Sequence, residues 1–246
     1  MKKFIAILTG VVLVFAFALT AKAASTLFGS ATNEAGGWVQ AVSDTSVAAT
    51  PLDDYGGVSF DDANGTTFAS LTALSTDFNI TDDDCGGGSP RFYIRMDTNN
   101  DTVSDGNIFV YMGPIPSFTG CTPNTWVNTG NLVGSTDARF DLTQLGGPFY
   151  GTYANALSLV GTGTILRIGI VVDGSWVMSD LEQTVLFDNT VVNGTSYDFT
   201  PLLTPTNKDE CKNDGWMTFN NPTFKNQGDC VSYVQSNENA VGNKTK

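Results

Sequence analysis

Beyond residue 23 the chain carries its apolar residues in short runs separated by clusters of Gly, Ser, Thr, Asn and Asp, and no stretch sustains a helical period. That is the pattern of many short strands joined by turns, and it predicts an all-β, antiparallel sandwich. The clearest strands are expected at 38–43, 57–60, 91–96, 108–112, 165–172 and 184–192, with two weaker ones inside 68–80 and 138–142. One short helix, somewhere in 149–159, is expected to cross an end of the sandwich.

The segments around 91–96 and 108–112 read as a hairpin closed by a polar loop from Asp97 to Asn107. A pairing of Met96 with Ile108 then sets Ile94 against Val110 and Phe92 against Met112, which makes one apolar face. The same register brings Arg95 beside Phe109 and Tyr93 beside Tyr111 on the other face. Two readings compete for that face: a second layer or loop covers it, or Tyr93, Arg95, Phe109 and Tyr111 form an open platform for a flat ligand such as a sugar. In the strand at 165–172, Arg167 and Gly169 alternate with Leu166, Ile168, Ile170 and Val172. If that strand neighbours the hairpin, its glycine leaves room above the platform.

The chain begins Met-Lys-Lys, continues with an apolar run from Phe4 to Leu19, and reaches Ala21-Lys22-Ala23. This is the plan of a cleavable secretory signal peptide over 1–23, with cleavage before Ala24 and an extracellular or cell-surface destination. The remainder divides by charge. Residues 24–200 hold no lysine, and their basic residues are Arg91, Arg95, Arg139 and Arg167; from 201 onward five lysines balance five acids. The change falls on the proline-bounded segment 201–205, which reads as a linker between a sandwich at 24–200 and a small module with a polar tail at 206–246. A net charge of −13 repels phosphate backbones and anionic lipid, so neither nucleic acid nor insertion into a membrane after cleavage is expected.

Cysteine usage fits export. The simplest of the three pairings joins Cys85 to Cys121 and Cys211 to Cys230, one bridge in each unit. A zinc site is disfavoured by the wide spacing and by the complete absence of histidine. That absence also removes Ser-His-Asp and Cys-His catalysis and leaves carboxylates as the available acid and base groups. For a glycan hydrolase or lyase the least implausible pair is Asp173 with Asp188, since most other aspartates crowd into turns. Calcium has a better pattern: Asp97, Asn99, Asp101 and Asp105 alternate along the hairpin loop as donors to a hard cation would. The EF-hand template nevertheless fails there, with Thr102 in place of its glycine and Ile108 in place of its glutamate, so a solvated loop competes with a structural calcium site. The run Asp82-Asp83-Asp84 before Cys85 reads as a turn fixed by the disulfide.

The order Phe68-x-x-Leu71-x-x-Leu74-Ser75, Gly88-Ser89-Pro90-Arg91-Phe92, Thr125-Trp126, Ile168-x-Ile170-Val171-Val172-Asp173-Gly174-Ser175-Trp176 and Val185-Leu186-Phe187-Asp188-Asn189 resembles secreted bacterial jelly-roll domains. These are similar in plan to carbohydrate-binding modules and lectin-like sandwiches, and the resemblance implies a fold without transferring ligand residues. In the tail, Cys211-Lys212-Asn213-Asp214-Gly215-Trp216 followed by Phe224-Lys225-Asn226-Gln227-Gly228-Asp229-Cys230-Val231-Ser232-Tyr233-Val234 resembles a C-terminal motif of secreted bacterial proteins, CKNGGW then FKNQGDCVSYV. Asp214 stands where that motif has glycine. The motif implies no activity and reads as a structural cap, with attachment or partner binding as the other reading. The functional expectation is a non-enzymatic extracellular protein whose partner is an extracellular or cell-surface glycan; a structural or adhesive envelope component and a carboxylate-dependent glycan hydrolase or lyase are the alternatives.

Overall fold

A computed structural model describes residues 24–46, 54–200, 203–220 and 222–238. The expected signal peptide at 1–23 lies outside these residues, as do positions 201 and 202 of the expected linker. The chain forms β1 (Ser25–Gly29), β2 (Thr32–Asn33), β3 (Val39–Asp44), β4 (Gly56–Phe60), β5 (Leu74–Asp82), β6 (Arg91–Asp97), β7 (Gly106–Tyr111), β8 (Val127–Asn128), β9 (Phe140–Asp141), helix α1 (Tyr153–Val160), β10 (Thr164–Val172), β11 (Glu182–Val192), β12 (Thr195–Tyr197) and helix α2 (Gln227–Glu238). They pair into two antiparallel sheets, one ordered β1-β4-β10-β6-β7-β9 and the other β2-β3-β11-β5-β8 with β12 on the free end of β11. The fold is an all-β sandwich.

Alternation builds the core. Val58 and Phe60 on β4, Phe92, Ile94 and Met96 on β6, and Ile168, Ile170 and Val172 on β10 point inward from the first sheet; Val39 and Ala41 on β3, Phe78 and Ile80 on β5, and Val185 and Phe187 on β11 meet them from the second. Every one of these side chains is removed from water, which supplies the main stabilising term.

Three expectations change in detail. The hairpin is two residues tighter than a wholly polar loop implies: Ile94 pairs with Ile108, Phe92 with Val110 and Met96 with Gly106. The strands extend through Asp97 and Gly106 because the loop caps itself. Asp97 accepts the N–H groups of Asp101 (3.2 Å) and Thr102 (2.8 Å), and Asp105 accepts that of Thr98 (2.7 Å). A slip of two preserves which face each residue occupies. Second, Leu166 does not share the inner face of β10, since a bulge between Ile165 and Arg167 sends Ile165 into the core instead. Third, the segment 68–80 opens with a single 3₁₀ turn at Phe68–Ser70 and becomes a strand only at Leu74. Helix α1 starts later than residue 149 because Gly151 still pairs with Phe140, and Thr152 and Asn155 then close a reciprocal capping box.

Both expected disulfides are present, Cys85–Cys121 and Cys211–Cys230. Two such bridges fit an oxidising compartment. No helix of the described residues is long and apolar enough to cross a membrane. The first bridge has a polar clamp. Asp84 accepts N–H groups from Cys85 (2.6 Å), Cys121 (2.6 Å) and Gly120 (3.1 Å), so the carboxylate holds both ends of the cross-link. Asp84→Ala strands those donors and is expected to cost about 2 kcal/mol, measured by urea unfolding, while Asp84→Asn, which keeps an acceptor, should cost less.

In the tail a separate apolar cluster centres on Cys211, Cys230 and Val234, with Trp216, Phe219, Phe224, Val231 and Tyr233 packed around it. Asn213 and Asp214 both sit in the left-handed region, at φ 49° and 64°. The turn for which the motif's glycine is suited is therefore kept, because Asn and Asp tolerate that conformation better than other side chains. Helix α2 runs for 12 residues. Asn226 Oδ1 accepts the Asp229 N–H (3.0 Å) at its start, and the Asp229 carboxylate accepts the Lys225 N–H (3.2 Å).

Candidate functional site

Pairing across the first sheet sorts its outer side chains into rows. One row runs Phe28, Gly57, Val171, Arg91, Tyr111; the next Thr26, Ser59, Gly169, Tyr93, Phe109, Asp141; a third Arg167, Arg95, Asn107. Tyr93, Arg95, Phe109 and Tyr111 thus share one face, as the alternation predicts, although the tighter register sets Tyr93 beside Phe109 and Arg95 beside Asn107. The strand carrying Gly169 is the direct neighbour of β6, and the glycine does make room. A Cβ there would lie 2.5 Å from the Tyr93 ring, and one at Gly57 would lie 2.5 Å from the Phe28 ring. The far end of each ring therefore reaches across the adjacent strand, over a position that has no side chain. Phe28 and Tyr93 meet edge to face at 6.1 Å, and Tyr55 extends the aromatic strip beyond Phe28 at 6.0 Å.

The face is also where the sandwich keeps its positive charge. All four arginines of residues 24–200 lie on it or at its border. Arg91 stacks over Phe109 at 4.5 Å and pairs with Asp173. Arg139, just ahead of β9, is buried among rings, 4.0 Å from Tyr111, 3.7 Å from Phe149 and 3.9 Å from Tyr150. Its Nε donates to the Phe149 carbonyl at 3.0 Å. Arg95 and Arg167 are exposed.

The two competing readings of the platform divide along the strands. At one end Tyr111 is covered: it is 7% exposed, lies under Arg139, and donates its hydroxyl to Asp141 at 3.1 Å. Burial raises its phenol above the ordinary value against the opposing pull of Arg139. At the other end Tyr93 and Phe109 are half-buried, and Arg95 and Arg167 stand clear beside them. Burial also raises the Tyr93 phenol, with Arg167 and Arg95 opposing and Asp61 reinforcing, so both guanidinium groups act on this ring.

Phe28, Arg91, Arg139 and Arg167 join the face without having been assigned to it as site residues. Arg167 had a signal, its alternation with Gly169. Phe28 had little, because β1 is a five-residue edge strand directly after the expected cleavage point. Another aromatic pair, half-buried Trp38 with exposed Trp126 at 6.0 Å, flanks the other sheet and has no arginine near it in sequence.

Carboxylate chemistry finds a poor setting. The amide of Asp173 donates to Ser89 Oγ (3.0 Å), which donates to Gln183 Oε1 (2.6 Å) on β11. Asp188 stands on the same strand five residues beyond Gln183, a rise of roughly 16 Å along the backbone. Both aspartates have raised pKa values, each chiefly from burial. Arg91 opposes the shift at Asp173, while Asp198 and Asp77 reinforce it at Asp188. They have no neighbouring charge in common.

In the hairpin loop, Asp97 is buried, and the oxygens of Asp97, Asn99, Asp101 and Asp105 all accept backbone N–H groups of the loop itself. Asp97, Asp101 and Asp105 are not gathered as a set within 4.8 Å of one another; the grouping of that kind among the described residues is Asp84, Cys85 and Cys121, whose sulfurs are bonded to each other. A cation at the loop would compete with these amides for the same oxygens.

No protein-family model, no curated protein and no solved structure matches this chain.

Proposed function

We propose that the chain is an exported, non-enzymatic binding protein, that its sandwich is jelly-roll-like, and that the outer face of the first sheet holds an extracellular or cell-surface glycan. One observation carries the reading: in an acidic protein, every arginine of residues 24–200 lies on a single sheet face or at its border, and Arg91, Arg95 and Arg167 are interleaved there with Phe28, Tyr93 and Phe109. Core packing has no use for this arrangement, since the inner face is complete without it. A sugar ring uses both components. Its C–H face stacks on an aromatic ring, and its hydroxyls accept from guanidinium N–H groups. The strip formed by Tyr55, Phe28 and Tyr93, whose rings are tilted or edge to face, suits an extended chain better than a single buried sugar.

On a glycan array, the mature chain is expected to retain a restricted set of polysaccharides, with Tyr93→Ala and Phe109→Ala each weakening retention by about tenfold. Retention of no glycan, or both variants binding like the parent, would refute the reading. A second reading, adhesive contact with protein, draws on Phe149 and Tyr150, which are 49% and 62% exposed beside Arg139 at the border of the same face. Under it, Phe149→Ser and Tyr150→Ser abolish attachment while the array stays blank.

A further inference from the structure

We infer that the glycan is acidic and that Arg95 and Arg167 together read its negative charge; this rests on the proposed glycan-binding face and specifies the class of ligand it takes. Arg95 on β6 and Arg167 on β10 are direct cross-strand partners. Side chains so placed start about 5 Å apart at Cβ, and like charges there destabilise a sheet. The sandwich has few cations to distribute, yet two of its four arginines are set opposite each other.

Among the described residues neither is held in an ion pair; the pairs there are Arg91–Asp173 and Lys212–Asp209. Asp61 follows β4 at the position beyond Phe60, an acidic position alongside Arg167 in the register, yet it forms no ion pair with either arginine, and its carboxylate accepts from Asn64 Nδ2 at 3.0 Å. The neighbour of Arg95 on the other side is Asn107, which has no charge. The chain is strongly acidic, so an exposed pair of arginines without an ion-pair partner is a place on the sandwich where an anion gains from both short-range hydrogen bonds and the local field.

The geometry names the ligand chemistry. Two guanidinium forks side by side present several N–H donors to one planar or tetrahedral anionic group, a carboxylate or a sulfate. The hydroxyl end of the Tyr93 ring reaches over Gly169 in the adjacent row, one step along both strands, where a sugar bearing that anion can stack. A uronic acid or a sulfated sugar carries both features in one residue. An acidic peptide carries the charge without the stacking ring.

The test uses the mature chain and four immobilised probes: polygalacturonate, dextran sulfate, uncharged dextran and polyglutamate. Retention on polygalacturonate or dextran sulfate but not on dextran is expected, falling steeply as salt rises. Which of the two is preferred identifies the anion as carboxylate or sulfate. Arg95→Gln and Arg167→Gln are each expected to weaken binding at least tenfold, with lysine at either position restoring only part of it. Both side chains are exposed, so the variants should fold. Without ligand, Arg167→Gln should melt at or slightly above the parent temperature, since it relieves repulsion; a merely structural arginine would melt lower. Equal retention on dextran, indifferent to both variants, overturns the charge inference and leaves the glycan reading standing. Retention on polyglutamate alone makes the partner an acidic protein and overturns both, as does retention on none of the four.

Discussion

With Arg91 replaced by methionine, the protein is expected to lose about 3 kcal/mol of stability at neutral pH and to regain most of it in acid. Arg91 and Asp173 pair where β6 begins and β10 ends, in the middle of the first sheet, with side chains only 14% and 29% exposed. Even with the cation beside it, Asp173 has a raised pKa: burial is the largest influence, Arg91 pulls the other way, and Asp54 adds to the rise. The pair is therefore not a source of stability. It is a charge the fold tolerates because a partner is present, and removing the partner leaves a buried carboxylate to pay for its own desolvation.

The sign of the pH effect follows from linkage. Asp173 binds its proton more tightly folded than unfolded, so stability falls as pH rises from the unfolded value, about 4, through the raised folded value, and is level above that. Without Arg91 the folded value climbs further and the fall deepens. The difference between parent and variant should thus be largest at neutral pH and shrink as Asp173 protonates. A remainder of about 0.5–1 kcal/mol should persist at every pH, because Arg91 also stacks on Phe109. Urea titrations of both proteins from neutral pH to pH 4 measure this. In the Arg91→Met background, Asp173→Asn should recover stability at neutral pH; a deficit independent of pH and unmoved by the asparagine would mean that only packing was lost.

Alternation along the strands was the legible part of this chain. It placed Phe92, Ile94 and Met96 inward and Tyr93 and Arg95 outward, and those assignments survive a two-residue error in register because side chains repeat every two. The register itself was not legible. Asp97 and Gly106 look like loop residues by type and become strand ends only because the loop's own carboxylates satisfy its amides. The bulge at Leu166 is likewise invisible in a run of residues that are all apolar around it. Whether the platform was open or covered could not be decided locally, since Tyr111 is buried by Arg139, Phe118 and the segment around Phe149, none of which lies on its strand. Arg139 gave no sign of burial, because an isolated arginine in a polar stretch reads as surface until its aromatic neighbours are in place.

The tail bridge should prove indispensable to its own module and irrelevant to the sandwich. Its buried core consists of both cysteines and Val234, with five partly buried apolar side chains around them, too little to hold a segment of this size together. Closing a loop with a sequence separation of 19 is worth roughly 3 kcal/mol through the entropy it removes from the unfolded chain. The double variant Cys211→Ser, Cys230→Ser is therefore expected to lose α2 while the sandwich unfolds at the parent's denaturant midpoint. Lysine makes the test selective. Residues 24–200 contain none, so over residues 24–246 a lysine-specific protease can cut only in the tail, after Lys208, Lys212, Lys225 and Lys244. Where local opening controls cleavage, a loss of about 3 kcal/mol speeds cutting at Lys212 and Lys225 by roughly a hundredfold. Cutting at the parent's rate, with α2 still visible by circular dichroism, would mean that the aromatic cluster of Phe219, Phe224 and Tyr233 holds the module without its staple.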